Sequence, residues 1–105
     1  MRTVEFYRYL DPTSALRVSF DIEYGQVNRF VVQLEVEFDS EWRAIVRYDT
    51  VHGFAHCDVL HPYDDTRKVL LNTNNYNEAL TYAQIDLSNN WQAYRTRYEE
   101  WLRLR

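Results

Sequence analysis

Leu16–Phe38, LRVSFDIEYGQVNRFVVQLEVEF, alternates apolar and polar residues on both sides of one glycine. Leu16, Val18, Phe20, Ile22 and Tyr24 fall on one side of an extended chain, and Arg17, Ser19, Asp21 and Glu23 on the other. After Gly25 the pattern resumes with Phe30, Val32, Leu34, Val36 and Phe38. Period-two alternation of this length predicts antiparallel strands with one dry and one wet face. A third run sets Ala44, Val46 and Tyr48 against Arg43, Arg47 and Asp49; shorter runs follow at Phe54–Leu60 and Lys68–Leu71.

Register can be read from charge, because a one-residue slip exchanges the two faces. A three-residue loop Gly25-Gln26-Val27 pairs Ile22 with Phe30, Phe20 with Val32 and Glu23 with Arg29. A second one, Asp39-Ser40-Glu41, pairs Val36 with Ala44, Leu34 with Val46 and Glu37 with Arg43. Two-residue loops would set arginines opposite the apolar stripe. A turn at His52-Gly53 then pairs Val46 with Val59, Arg47 with Asp58, Tyr48 with Cys57 and Asp49 with His56.

From Asn77 the period changes to threes and fours: Leu80, Ala83, Leu87, Trp91, Tyr94, Tyr98 and Trp101 or Leu102. That is the stripe of an amphipathic helix packed on a core. Asn77 is the expected N-cap. Ser88-Asn89-Asn90 is poor helix material and marks an expected kink or break. The fold class is therefore α+β: a curved antiparallel meander of five or six strands over about 3–72, covered on one face by a helix over about 77–104. The whole chain 1–105 forms a single domain.

Composition limits what such a domain does. At 105 residues and 46% hydrophobic content, the chain can bury one core and fold. A net charge of −4 argues against a broad grip on nucleic acid, though not against a local basic patch. A lone cysteine excludes an internal disulfide, and no apolar run is long enough for a membrane span, so a cytoplasmic location is expected.

Chemistry-bearing residues concentrate in Arg47–Pro62, RYDTVHGFAHCDVLHP, which holds all three histidines. The register brings Arg47, Asp49, His56 and Asp58 onto two adjacent rungs of the wet face. There Asp49 would orient the His56 imidazole for proton transfer, and Arg47 would hold a phosphate through its planar guanidinium. The bland alternative is a solvated ladder of cross-strand ion pairs. Metal-type residues recur as His52-x3-His56-x-Asp58-x2-His61, but alternation sends His61 to the opposite face and leaves His52 at the turn. Two or three ligands at most would converge, too few for a closed zinc site. An oxygen-rich Mg²⁺ or Mn²⁺ site would need Glu35, Asp49 and Asp58. No metal or other cofactor is expected.

Arg47-Tyr48-Asp49 followed by His52, with His61-Pro62 further on, resembles the R-[YW]-D…H…P-H pattern of TumE-type toxins of prokaryotic toxin–antitoxin systems. The resemblance implies a small cytoplasmic growth inhibitor acting on RNA and neutralised by a cognate antitoxin protein. It carries over to Arg47, Asp49 and His52 only, with His52 as a substrate contact beside Arg47. Whether the protein is an enzyme stays open. The alternative is a non-catalytic binding or assembly module that uses the polar sheet face or an edge strand, Val4–Leu10 or Val69–Leu71. An open pocket around His56 with Arg47 pointing inward would favour the enzyme.

Overall fold

A computed structural model describes residues 1–73 and 75–104. Six strands, β1 (Arg2–Asp11), β2 (Ser14–Glu23), β3 (Gln26–Phe38), β4 (Glu41–Asp49), β5 (His56–Val59) and β6 (Arg67–Leu70), precede one helix, α1 (Tyr76–Arg103). The strands pair antiparallel in chain order as an open meander, and α1 packs across β3 and β4. The core between them holds Leu16, Val18, Phe30, Val32, Leu34, Val36, Val46 and Tyr48 from the sheet and Ala79, Leu80, Ala83, Leu87 and Tyr98 from the helix. The α+β meander expected from the alternation is the fold observed.

Both long hairpins reach this arrangement by a different route from the expected loops. The β2–β3 turn has two residues, Tyr24 and Gly25, both left-handed at φ 50° and 74°. Positive φ at both positions suits the twist of a two-residue hairpin. Parity is restored one step later. The register shifts between Asp21 and Ile22, leaving Asn28 of β3 as the extra residue of a bulge. Phe20 therefore faces Phe30, Val18 faces Val32, and Arg29 faces Asp21 rather than Glu23.

The β3–β4 turn repeats the device, with Asp39 and Ser40 at φ 51° and 64° and a bulge at Ile45. Beyond the bulge Leu34 meets Val46 as expected. Before it, Val36 meets Arg43 and Glu37 meets Trp42, so the expected Val36–Ala44 and Glu37–Arg43 pairs do not form. Arg43 consequently reaches the helix side and the Tyr98 side chain. Trp42 turns to the opposite face, edge-on to Tyr9 with ring centroids 6.3 Å apart. The β4–β5 pairs are those expected, but the connection is longer than a tight His52-Gly53 turn: Gly53 N donates to Thr50 O, and β5 begins only at His56.

Polar side chains fix the helix ends. Asn75, not Asn77, is the N-cap, its Oδ1 accepting from Glu78 N at 2.8 Å. Asn77 instead ties the helix to the β2–β3 turn, accepting from Val27 N at 3.0 Å and donating to Gly25 O at 2.9 Å. The helix runs unbroken through Ser88-Asn89-Asn90, so the expected break does not occur, and two of these side chains bond outside the backbone ladder. Ser88 Oγ accepts from Arg8, and Asn90 donates to Asp86 Oδ1. Near the C-terminal end, Arg95 donates to Thr13 Oγ1 at 2.8 Å and Ser14 Oγ at 2.7 Å, and its guanidinium lies over the Phe38 ring.

The second sheet face is not the solvated surface that alternation suggests. Ser19, Gln33, Asp49 and His56 are all buried on it. Their cover comes from neighbouring long side chains lying flat rather than from another layer. Arg29 reaches across to Ser19 and Asp21, Arg47 donates to Gln33, and the rings of His52 and Phe54 pack on His56.

Candidate functional site

The β4–β5 register places Asp49 opposite His56, with Asp58 two residues further along the same face of β5. His56 has 0% exposure, and its Nε2 lies 3.0 Å from Asp49 Oδ1 and 3.6 Å from Asp58 Oδ2. Neither carboxylate meets that nitrogen in hydrogen-bond geometry, and Asp58 Oδ1 also lacks a hydrogen bond, although Lys68 Nζ stands 3.8 Å away. The other ring nitrogen, Nδ1, faces the Phe54 carbonyl at 3.3 Å. Asp49 Oδ1 accepts from Val51 N, which locks the start of the β4–β5 loop.

Three of the four expected catalytic residues thus converge; Arg47 does not join them. Its Nε donates to Gln33 Oε1 at 2.7 Å, and Gln33 in turn donates to Glu35. His52 is exposed, its ring stacked 5.8 Å from that of His56 rather than extended toward a substrate. The arrangement is neither an open pocket with Arg47 pointing in nor a solvated ladder. It is a cluster of a buried imidazole, a buried carboxylate and a partly buried one.

Open volume lies on the other side of the sheet. Because α1 covers β3 and β4, a cleft of about 690 Å³ remains between its flank and β5–β6. Tyr48 lines it from β4, Cys57 and Val59 from β5, Val69 and Leu71 from β6 and the residue after it, and Tyr82, Tyr94 and Trp101 from the helix. Such a volume with largely apolar walls is typical of a binding site. Two cations stand among these walls, Arg67 and Arg97, the latter with its guanidinium over the Tyr94 and Trp101 rings. His61 stacks on Trp101 at 4.3 Å. Nothing in the sequence pattern marks this cleft: Tyr94 and Trp101 stand in the apolar stripe, whose spacing signals core packing, and only divergence of the helix from β5–β6 opens their faces.

Beneath the cleft, Asp86 Oδ2 accepts from both Tyr48 Oη at 2.6 Å and Tyr94 Oη at 2.8 Å. Burial, reinforced by donation to Asp86, holds both phenols above their ordinary range. Burial likewise pushes the Cys57 thiol up to about 12. A group whose pKa is raised on folding stabilises fully below its unfolded value, and that contribution is lost as pH climbs toward the folded one. Stability is therefore expected to be level to about pH 9, then to fall by roughly 1.4 kcal/mol per pH unit for Cys57, with the phenols adding above about pH 10. Urea midpoints at pH 7, 9 and 10.5 check this. The Cys57→Ala variant should begin its decline about one pH unit later, and a flat profile would contradict the burial of all three groups.

A family model described as "Domain of unknown function (DUF7718)" matches residues 1–104. No curated protein and no solved structure matches the chain.

Proposed function

For a chain that belongs to the DUF7718 family, whose description assigns no activity, we propose a role as a cytoplasmic protein-binding module. It takes an extended, apolar and acidic segment of a partner along β6 and into the adjoining cleft. The observation that carries this reading is an unpaired strand edge next to an aromatic-walled cleft. β6 ends the sheet, and all four of its residues are exposed. Leu71 N donates inward to Ala55 O, so by alternation the N–H groups of Lys68 and Leu70 face outward, ready for another strand. Val69 and Arg67 share the face of Cys57 and Val59, toward the cleft.

A segment added to β6 would lay alternate side chains into the cleft while its backbone bonds the edge. Val69, Leu70 and Tyr82 in the cleft walls are exposed and offer apolar surface, as partner-binding patches do. Arg67 and Arg97, against the wall carboxylate Asp65, favour acidic residues in the occupant, and the charges of Arg67 and Lys68 keep β6 from pairing with copies of itself.

Selection from a library of random 12-residue displayed peptides tests this. The expected result is enrichment of sequences alternating apolar residues with Asp or Glu, whose binding weakens at least tenfold on Arg97→Glu and on Val69→Asp. Equal enrichment on the Val69→Asp protein would remove the reading.

A second reading, the toxin-type action on RNA with a cognate antitoxin as partner, draws support from the convergence of Asp49, His56 and Asp58. It requires substrate to reach a ring that has no exposed surface. The discriminating assay compares RNA cleavage and growth inhibition by the parent, Arg47→Ala and His52→Ala, two changes outside the core. Activity that both changes reduce supports this reading, and an inert parent ends it.

A further inference from the structure

We propose that Asp49, His56 and Asp58 form a binding site for one divalent transition-metal ion of the Zn²⁺ or Mn²⁺ kind. The first ground is donor geometry. One ligand atom from each of the three residues lies within 4.8 Å of the others, and the His56 Nε2 distances of 3.0 and 3.6 Å span the separations expected of neighbouring ligands. Ligands about 2.0–2.2 Å from a shared ion stand roughly 3.0–3.5 Å apart at octahedral or tetrahedral angles.

The second ground is the polar atoms left over. A carbonyl only accepts, so the Nδ1 facing Phe54 O carries the ring proton in this contact. With the ring neutral, Nε2 turns a lone pair toward two carboxylates, in a residue with no exposed surface and no hydrogen bond to that nitrogen. Lone pair against carboxylates is repulsive, and a shared cation turns the repulsion into three bonds. Orienting a metal-ligating imidazole through its other N–H to a carbonyl is also the usual outer-shell arrangement. Val51 N–H steadies Asp49, and Lys68 stands beside the Asp58 oxygen that faces away from the ring.

Donor type narrows the ion. One imidazole and two carboxylates suit Zn²⁺ or Mn²⁺, whereas Ca²⁺ seeks six to eight oxygens and Cu(I) seeks thiolates. Cys57, the one thiol, points to the opposite face of the sheet. Three protein donors leave coordination positions for water. This site lies across the sheet from the proposed partner cleft and does not depend on that reading.

The test is calorimetric titration of the EDTA-dialysed full chain with Zn²⁺ and, separately, Mn²⁺, alongside thermal melts. The parent is expected to bind one equivalent of at least one ion with a rise in Tm, and Asp58→Asn to weaken that binding at least tenfold. Asp64→Asn and His61→Ala, which alter the other close His–Asp pair (3.7 Å), should leave it unchanged. To keep the test independent of any folding defect in Asp58→Asn, the second measurement uses His61→Ala loaded with Mn²⁺. Pulsed electron paramagnetic resonance should show coupling to an imidazole nitrogen. No saturable binding of either ion, binding that follows Asp64 or His61 instead of Asp58, or Mn²⁺ without nitrogen coupling would each overturn the assignment and leave the cluster as an ion triad.

Discussion

Phe30→Ala is expected to lower the unfolding free energy by about 3–5 kcal/mol, the cost of removing a fully buried aromatic ring. Phe30 has 0% exposure, meets Tyr76 of the helix edge-on at 6.1 Å, and lies just past the Asn28 bulge. Its loss leaves a cavity where the helix N-terminus seats on β3. Trp91→Ala should cost less, although the period of the helix makes Trp91 the centre of the apolar stripe. That ring is only partly buried, while Leu87 one turn earlier has no exposure. Denaturant midpoints of the two variants settle the order. Trp91→Ala as the more damaging change would mean that the helix lies differently on the sheet.

His56→Ala should cost a further large amount, about 3–5 kcal/mol when measured in excess EDTA. Removing the imidazole leaves a cavity at a fully buried position and sets two carboxylates against each other across it. Asp49 and Asp58 would then face each other with little solvent to separate them. This reverses what alternation implies, since a residue on a wet face would leave the fold intact when removed. Replacing Asp49 by Asn in the same protein should recover part of the loss by cancelling one of the two facing charges. A double variant no more stable than His56→Ala would contradict the origin assigned to that loss.

Alternation carried most of the fold because parity survives compensating changes. A two-residue turn followed by a one-residue bulge keeps the same side chains on the same face as a three-residue loop. The dry face of β2 and β3 was therefore legible while the exact partners were not. Nothing in composition marks Asn28 or Ile45 as a bulge residue, and Tyr24 and Ser40 are not types that announce positive φ. Where the bulge at Ile45 shifted faces locally, the reading failed for Arg43, Trp42 and Ala44.

The candidate residues were legible in a similar, partial sense. Cross-strand pairing correctly joined Asp49 to His56 and set Arg47 opposite Asp58. It could not show that the Arg47 guanidinium turns to Gln33, nor that His52 and Phe54 close over the imidazole, because both depend on side-chain direction and loop path. The cleft was beyond reach for another reason. Its walls belong to elements far apart in the chain, and its opening depends on how far one helix extends across a six-stranded sheet.

The claim that β6 and the cleft form the working surface is tested most directly by amide and indole shifts, with hydrogen exchange, on the ¹⁵N-labelled chain titrated with an enriched apolar–acidic peptide. The outward amides of Lys68 and Leu70 should slow in exchange, and the largest shifts should fall at Cys57, Val59, Val69, Tyr82 and the Trp101 indole. Shifts centred on the β1 edge or around Arg47 and Asp49, with β6 amides exchanging as fast as in the free protein, would contradict it.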